Sequence, residues 1–259
     1  LADASLQSIL EDEYTGNFIH FKQTQGYDVM VNNSKMTQNI IAFVEKNNVP
    51  VIVGGGLATF APDIVSKEKL VDLVCVGEGE NVLVDLCNKI QNNQDYSDVT
   101  NCWIKKDGKI IKKNPISKPV DINQNPIIDI DLFEQNRLYR PMGGTVYKIF
   151  PVETIRGCPY TCRYCSSPDM MNLYKNENKG SYFRKKRVDL VSKELKYFVS
   201  RGAEYFYFWA DTFLALSDKY LEEFSDMYKS EINLPFWCQT RPETLTGERV
   251  SMLKEMGIQ

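Results

Sequence analysis

Three cysteines carry the sharpest chemical signal in this sequence. They stand in the run Cys158-Pro-Tyr-Thr-Cys162-Arg-Tyr-Cys165, a C-x3-C-x2-C spacing. Thiolates this close together can converge on one metal centre from a single loop. A structural zinc wants four closed ligands, and a ferredoxin-type cluster wants four cysteines. No fourth ligand lies nearby: the one histidine is His20, and Cys238 belongs to a different expected strand. Three thiolates on a four-iron cluster leave one iron open, and an open position is what catalysis at a metal requires. A three-thiol zinc site completed by a remote ligand is the competing reading. The spacing and the placement directly after a strand argue against it.

Weaker candidates sit at the ends of the strands that follow. Asp211-Thr212 follow the aromatic run Glu204–Trp209 after Ala210, and Gln239 and Arg241 stand at the end of the run Pro235–Thr240, Arg241 just past it. An arginine here can grip a carboxylate with two parallel N–H bonds. A helix cap for Asp211 and a rim salt bridge for Arg241 are the plainer alternatives. The run Arg184-Lys-Lys-Arg187 opens a helix, where its charge opposes the helix dipole, and it reads as a solvated face.

These residues need a scaffold, and the hydrophobic pattern supplies one. Val146–Ile155, Glu204–Trp209 and Pro235–Thr240 alternate with helical faces, one on Val188, Val191, Leu195 and Phe198, one on Leu221, Phe224 and Tyr228, one on Val250, Leu253 and Met256. Three β-α units over residues 143–259 predict the first half of a β/α barrel, whose chemistry sits at the C-terminal ends of the strands. Upstream, residues 1–96 predict a doubly wound, Rossmann-like parallel sheet. Its strands are Asp28–Val31, Pro50–Val53 and Val71–Val76, and its helices follow Ser34, Pro62 and Glu80. The first β-α unit is missing, and both chain ends read as cut. Between the two lies a segment, 97–142, with a hairpin on Asp107-Gly108 and a proline-rich linker.

Composition excludes several classes. The 259 residues are 43% hydrophobic and 25% charged, which fits a globular protein with ample core. No apolar run approaches the ~20 residues of a membrane span. A net charge of −3 gives no general attraction for nucleic acid, which is not an expected partner. Seven cysteines, an odd number without a secretory leader, form no disulfide framework and point to a reducing cytoplasm.

The segment Arg156–Cys165 resembles the cluster loop of the radical S-adenosylmethionine (radical SAM) superfamily. The resemblance implies that Cys158, Cys162 and Cys165 hold a [4Fe-4S] cluster whose fourth iron is chelated by S-adenosyl-L-methionine, and that reductive cleavage of that cofactor starts radical chemistry. It implies an adenine-side role for Tyr164 and cofactor contacts for Asp211, Thr212, Gln239 and Arg241. It also implies an electron donor such as flavodoxin or ferredoxin, and a small-molecule or peptide substrate. The upstream stretches Tyr27–Val31, Val53-Gly-Gly-Gly56 with Thr59, and Val71–Glu80 resemble the cobalamin-binding domain of one large subgroup. That likeness implies cobalamin beside Ser34, Thr37, Gly54, Gly55, Gly56, Thr59, Gly77 and Glu78, and methyl transfer as the expected reaction. Ring formation, rearrangement or methylthiolation without cobalamin is the alternative, and an electron carrier the remotest. No D-x-H-x-x-G motif is present, so histidine ligation of cobalamin is not expected.

Overall fold

The structure is a computed structural model that describes Lys46, residues 50–177 and residues 179–259. His20, the Asp28–Val31 strand, and Ser34 and Thr37 with their helix lie outside the described residues. The chain divides into two compact units, Leu1–Val120 and Asp121–Gln259.

In the first unit β1 (Ile52–Val53) runs parallel to β2 (Leu73–Cys75), with Ile52 opposite Leu73. Two short helices join them, α1 (Gly56–Phe60) and α2 (Pro62–Val65), the second carrying proline in its first turn. The helix α3 (Glu80–Gln91) follows β2. It forms because apolar residues recur at 82, 86 and 90, and it buries Val82 and Leu86 against Leu73, Cys102 and Ile104. The hairpin β3 (Cys102–Lys106) and β4 (Lys109–Lys113) turns on Asp107-Gly108, both at positive φ, as its sequence predicts. It does not stand apart. β3 pairs antiparallel with β2, Leu73 opposite Ile104, so the order is β1-β2-β3-β4 and the parallel sheet gains an antiparallel edge.

The second unit is built on four neighbouring strands in the order β10-β9-β6-β5. β5 (Tyr139–Met142) and β6 (Thr145–Val152) form a hairpin, so of residues 97–142 the first hairpin belongs to one sheet and β5 to the other, with the proline-bearing stretch between them outside both. β6, β9 (Tyr205–Phe208) and β10 (Phe236–Cys238) are mutually parallel, Ile149 opposite Tyr205 and Phe206 opposite Phe236. The helices α5 (Val188–Ser200) and α6 (Asp218–Glu231) return the chain between them, and α7 (Gly247–Met256) follows β10. This is the expected β/α half-barrel order. Between β6 and α5 lie a small antiparallel pair, β7 (Ile155–Arg156) with β8 (Arg184–Lys185), and a helix α4 (Ser167–Asn176). One sheet face points Phe150, Phe206, Phe208 and Phe236 into the helices, where they meet Leu195, Phe198, Phe224 and Tyr228. No described helix is long and apolar enough to cross a membrane.

Candidate active site at the strand ends of the second unit

The cysteine run leaves β7 through Gly157, whose φ of +83° lies in the left-handed region that favours glycine. A side chain there meets resistance: a Cβ would lie 2.8 Å from Tyr182 O and 2.9 Å from Tyr182 Cδ1. Tyr182 stacks on the buried Tyr174 of α4 at 5.6 Å, so the glycine is the packing hinge of the loop. Cys158 then turns inward and is buried, Cys162 is half-buried and Cys165 exposed; all three are free thiols. A tight turn, Cys165 N–H to Cys162 O at 3.2 Å, brings the last cysteine to the start of α4, where Ser167 N–H donates to Cys165 Sγ at 3.4 Å.

The two following strands end on this loop. Past β9, Thr212 is buried with its hydroxyl 3.6 Å from Cys158 Sγ. Past β10, Arg241 reaches back so that Nη1 lies 2.6 Å from Cys162 Sγ, while Nη2 donates to Glu243 at 2.7 Å and the guanidinium covers the Tyr160 ring at 4.4 Å. Glu243 first, and Cys162 second, hold Arg241 above its already high range, so it stays charged. Asp211 keeps its side chain at the surface. The protein packed around it, and then the Glu153 carboxylate, push its carboxyl up. Gln239 is exposed and enters the site by its backbone, accepting Phe213 N–H at 2.7 Å. Tyr164 is 92% exposed.

Among the described residues, no three His, Cys, Asp or Glu side chains are gathered at ion-binding distance, the loop thiols included. Donor chemistry and orphaned polar atoms nevertheless fit a group bound here. Of five buried polar side-chain atoms without a partner among the described residues, Thr154 Oγ1, Ser167 Oγ and Arg241 Nε belong to residues that flank the loop in sequence or touch its sulfurs. Buried polar atoms are nearly always satisfied, so orphans on such residues fit a group bound at the loop. The remaining cysteines behave otherwise. Burial pushes the thiols of Cys75, Cys102 and Cys238 up to about 12, and that of Cys87 upward, which keeps them as inert core sulfur.

Residues 152–259 match the Radical SAM superfamily. Over 223 residues, 84% of this chain and 46% of the relative, the sequence is 27% identical to an uncharacterised methyltransferase of Pyrococcus horikoshii. Over 202 residues, 75% of this chain and 34% of the relative, it is 25% identical to the anaerobic magnesium-protoporphyrin IX monomethyl ester cyclase of Rubrivivax gelatinosus. The chain thus spans less than half the length of these curated relatives. Among solved structures, the radical SAM methyltransferase TsrM of Kitasatospora setae, with cobalamin and a [4Fe-4S] cluster bound, superposes with a TM-score of 0.61 at 18% identity, covering 86% of this chain and 43% of that one. The fold of this chain is therefore the one seen in the matching part of TsrM.

Several features of the second unit escape sequence reading. Tyr160, Thr154 and Ser167 are local to the motif and Glu243 lies past β10, yet nothing in their types announces a role. The sheet face opposite the helices is aromatic: Tyr207 stacks on Trp237 at 4.7 Å, and Trp209 beyond them is 63% exposed. The alternation in Glu204–Trp209 is the signal that could have found it. The basic run is only partly a solvated face. Arg184 and Lys185 form β8, Lys185 and Arg187 are exposed with Arg187 bridging Asp189 at 2.7 Å, and Lys186 turns in to bridge the buried Glu194 at 2.8 Å.

In the first unit, Thr59 ties the two glycine turns together. Its hydroxyl donates to Gly55 O at 2.9 Å and accepts Gly77 N–H at 3.0 Å. Gly54, Gly55, Gly56, Thr59, Gly77 and Glu78 therefore share one strand-end edge. Glu78 Oε2 accepts Val120 N–H at 2.6 Å, a structural duty beside that edge.

Proposed function

We propose that Cys158, Cys162 and Cys165 hold a [4Fe-4S] cluster with one iron left for S-adenosyl-L-methionine, and that the protein is a radical enzyme modifying a small-molecule or peptide substrate. Methyl transfer assisted by cobalamin on the first unit is the outcome we favour. The observation that carries this reading is the meeting of three strand ends at one loop: Thr212 on Cys158 and Arg241 on Cys162. When bound, the cluster supplies the electron that cleaves the sulfonium C–S bond and begins substrate chemistry.

The chain's own residues bind, orient and shield. Gly157 and the Tyr182–Tyr174 stack fix the loop's exit from β7. Thr212 and Arg241 place a hydroxyl and a cation on two of the three sulfurs. The aromatic face of Tyr207 and Trp237 forms an apolar wall of the kind that excludes water from reactive species. In the first unit the Gly54–Gly56 turn and Gly77 leave backbone free of side chains at a strand-end edge, where α/β sheets accept ligands. That TsrM binds both cofactors on the same fold supports the pairing.

The test uses the full-length protein, reconstituted anaerobically with iron and sulfide. About four irons per chain and reductive cleavage of S-adenosyl-L-methionine are expected, with corrinoid co-purifying. Iron without cleavage is the electron-carrier outcome and defeats the enzyme reading. Cleavage without any corrinoid defeats the cobalamin assignment alone.

A further inference from the structure

We propose that Arg241 is a positioning residue for electron transfer: its guanidinium, fixed between Glu243 and Tyr160, holds a positive charge against Cys162 Sγ and raises the reduction potential of the cluster on that sulfur. The inference rests on the cluster reading above and adds a role that differs from the carboxylate grip the sequence suggests for this arginine.

Each half of the claim has its own observation. The charge is permanent, since an arginine does not deprotonate in proteins. It is also fixed. Nη2 is engaged by Glu243 at 2.7 Å, the planar group lies over Tyr160 at 4.4 Å, and Nη1 is thereby directed to Cys162 Sγ at 2.6 Å. Tyr160 lies between Cys158 and Cys162 in the chain, so the arginine is braced by the same loop that carries the sulfurs. Arg241 lies just past β10, after Gln239 and Thr240, and Pro242 begins a short 3-10 turn that holds its backbone. A cation placed this way touches the ligand sulfur rather than the open region of the site. Its Nε, buried and without a partner, remains available to the loaded centre.

Reduction adds one electron, hence one negative charge, to a centre already held by thiolates. No bond forms or breaks in that step. The electron comes from a one-electron reductant of the flavodoxin or ferredoxin class, or from dithionite in vitro. Hydrogen bonds to cluster sulfurs and the net charge around them are the protein's established levers on potential. A fixed cation at hydrogen-bonding distance favours the more negative, reduced form. Glu243 offsets part of the charge at long range, but it is also what holds the guanidinium in place.

The experiment is a potentiometric titration, followed by electron paramagnetic resonance, of the anaerobically reconstituted full-length protein in the absence of S-adenosyl-L-methionine. Arg241→Met at unchanged iron content is expected to make the cluster at least tenfold harder to reduce, a midpoint shift of about 59 mV to more negative values for a one-electron couple. Arg241→Lys, which keeps the charge, is expected to recover at least half of the shift. Should Arg241→Met take up less iron, Arg241→Gln keeps a donor without the charge, and the same negative shift is expected. An unchanged midpoint in whichever uncharged variant retains its iron overturns the inference. So does a shift that appears only when S-adenosyl-L-methionine is added, because that outcome assigns the arginine to the cofactor carboxylate. Wild-type protein that takes up no iron overturns the cluster reading itself and is distinguishable from both.

Discussion

Replacing Gly157 by alanine perturbs the one backbone position through which the cysteine loop enters the site. Two costs add. The residue has φ +83°, and an L-residue held in the left-handed region costs roughly 1–2 kcal/mol. The new Cβ would then sit 2.8 Å from Tyr182 O and 3.1 Å from Tyr182 C, against backbone rather than a flexible side-chain tip. Tyr182 cannot retreat freely: its carbonyl accepts Arg184 Nε–H at 3.0 Å, and its ring stacks on the buried Tyr174. Overpacking of this kind costs about 1–3 kcal/mol, so the sum is about 2–5 kcal/mol. Gly144 provides the control. It has φ +84° with nothing within 4 Å of its ideal Cβ, so Gly144→Ala incurs the backbone term alone. Urea unfolding of both variants separates the two terms. At a slope of about 2 kcal/mol per molar, 3 kcal/mol moves the midpoint by about 1.5 M. Gly157→Ala should shift about twice as far as Gly144→Ala and should also lower iron incorporation. Equal shifts in the two variants would refute the argument that Tyr182 blocks the position.

The remaining predictions bear on the sulfurs, the first unit, the core and pH. Cys158→Ala, Cys162→Ala and Cys165→Ala should each abolish the reconstituted cluster, whereas Cys75→Ala, Cys87→Ala and Cys102→Ala should keep the wild-type iron content by elemental analysis. Gly55→Leu, at φ +89° on the glycine edge, should lose corrinoid while keeping iron. Thr59→Val should cost about 1–3 kcal/mol, because Gly77 N–H is left unsatisfied. Phe208→Ala empties a fully buried ring site that faces Phe213, Phe224, Tyr228 and Phe236, and about 3–5 kcal/mol should be lost in denaturant titration. Burial pushes the Glu194 carboxyl up, with Lys186 opposing. A carboxyl raised in the folded state keeps its proton where the unfolded chain has lost it. Its contribution is present below the ordinary carboxylate range and is lost as pH rises through the raised value. The stability of wild type relative to Glu194→Gln should therefore fall as pH rises above the ordinary carboxylate range, and a flat difference would contradict it.

How far this site can be read from the sequence follows from the range of each interaction. The three cysteines fall within one loop, so their spacing is a local property that the chain states directly. The strands β6, β9 and β10 are similarly legible, since their apolar runs and the helical periods between them are short-range patterns. The β-hairpin was legible from Asp107-Gly108, but its pairing with β2 was not, because Leu73 and Ile104 are brought together only by the sheet. The helix α4 was missed because its apolar face is thin: only Ser167 and Tyr174 are buried. Tyr164 is placed by likeness alone and Gln239 by its strand end. The structure leaves Tyr164 exposed and enlists Gln239 through its carbonyl, a group present in every residue.

The contacts that distinguish this loop from a bare three-cysteine motif are long-range, and they come from positions that a β/α order must place side by side. Parallel strands β6, β9 and β10 end at one edge because each crossover helix returns the chain to the same starting side. The residue that follows each strand therefore arrives at the edge whatever its type. On β9 that position carries Asp211-Thr212, and on β10 it carries Gln239 to Arg241. Topology delivers them to the loop that leaves β7. Chemistry then sorts them: a threonine short enough to be buried lands on the buried Cys158, and an arginine long enough to reach across lands on the half-buried Cys162. Cys165, the most exposed, receives no strand-end side chain and takes its partner from the helix that starts beside it. The three sulfurs thus meet three different groups, a hydroxyl, a guanidinium and a backbone N–H. The chemical equivalence of the cysteines in sequence ends there, and substitutions of their partners should separate what substitutions of the cysteines themselves cannot.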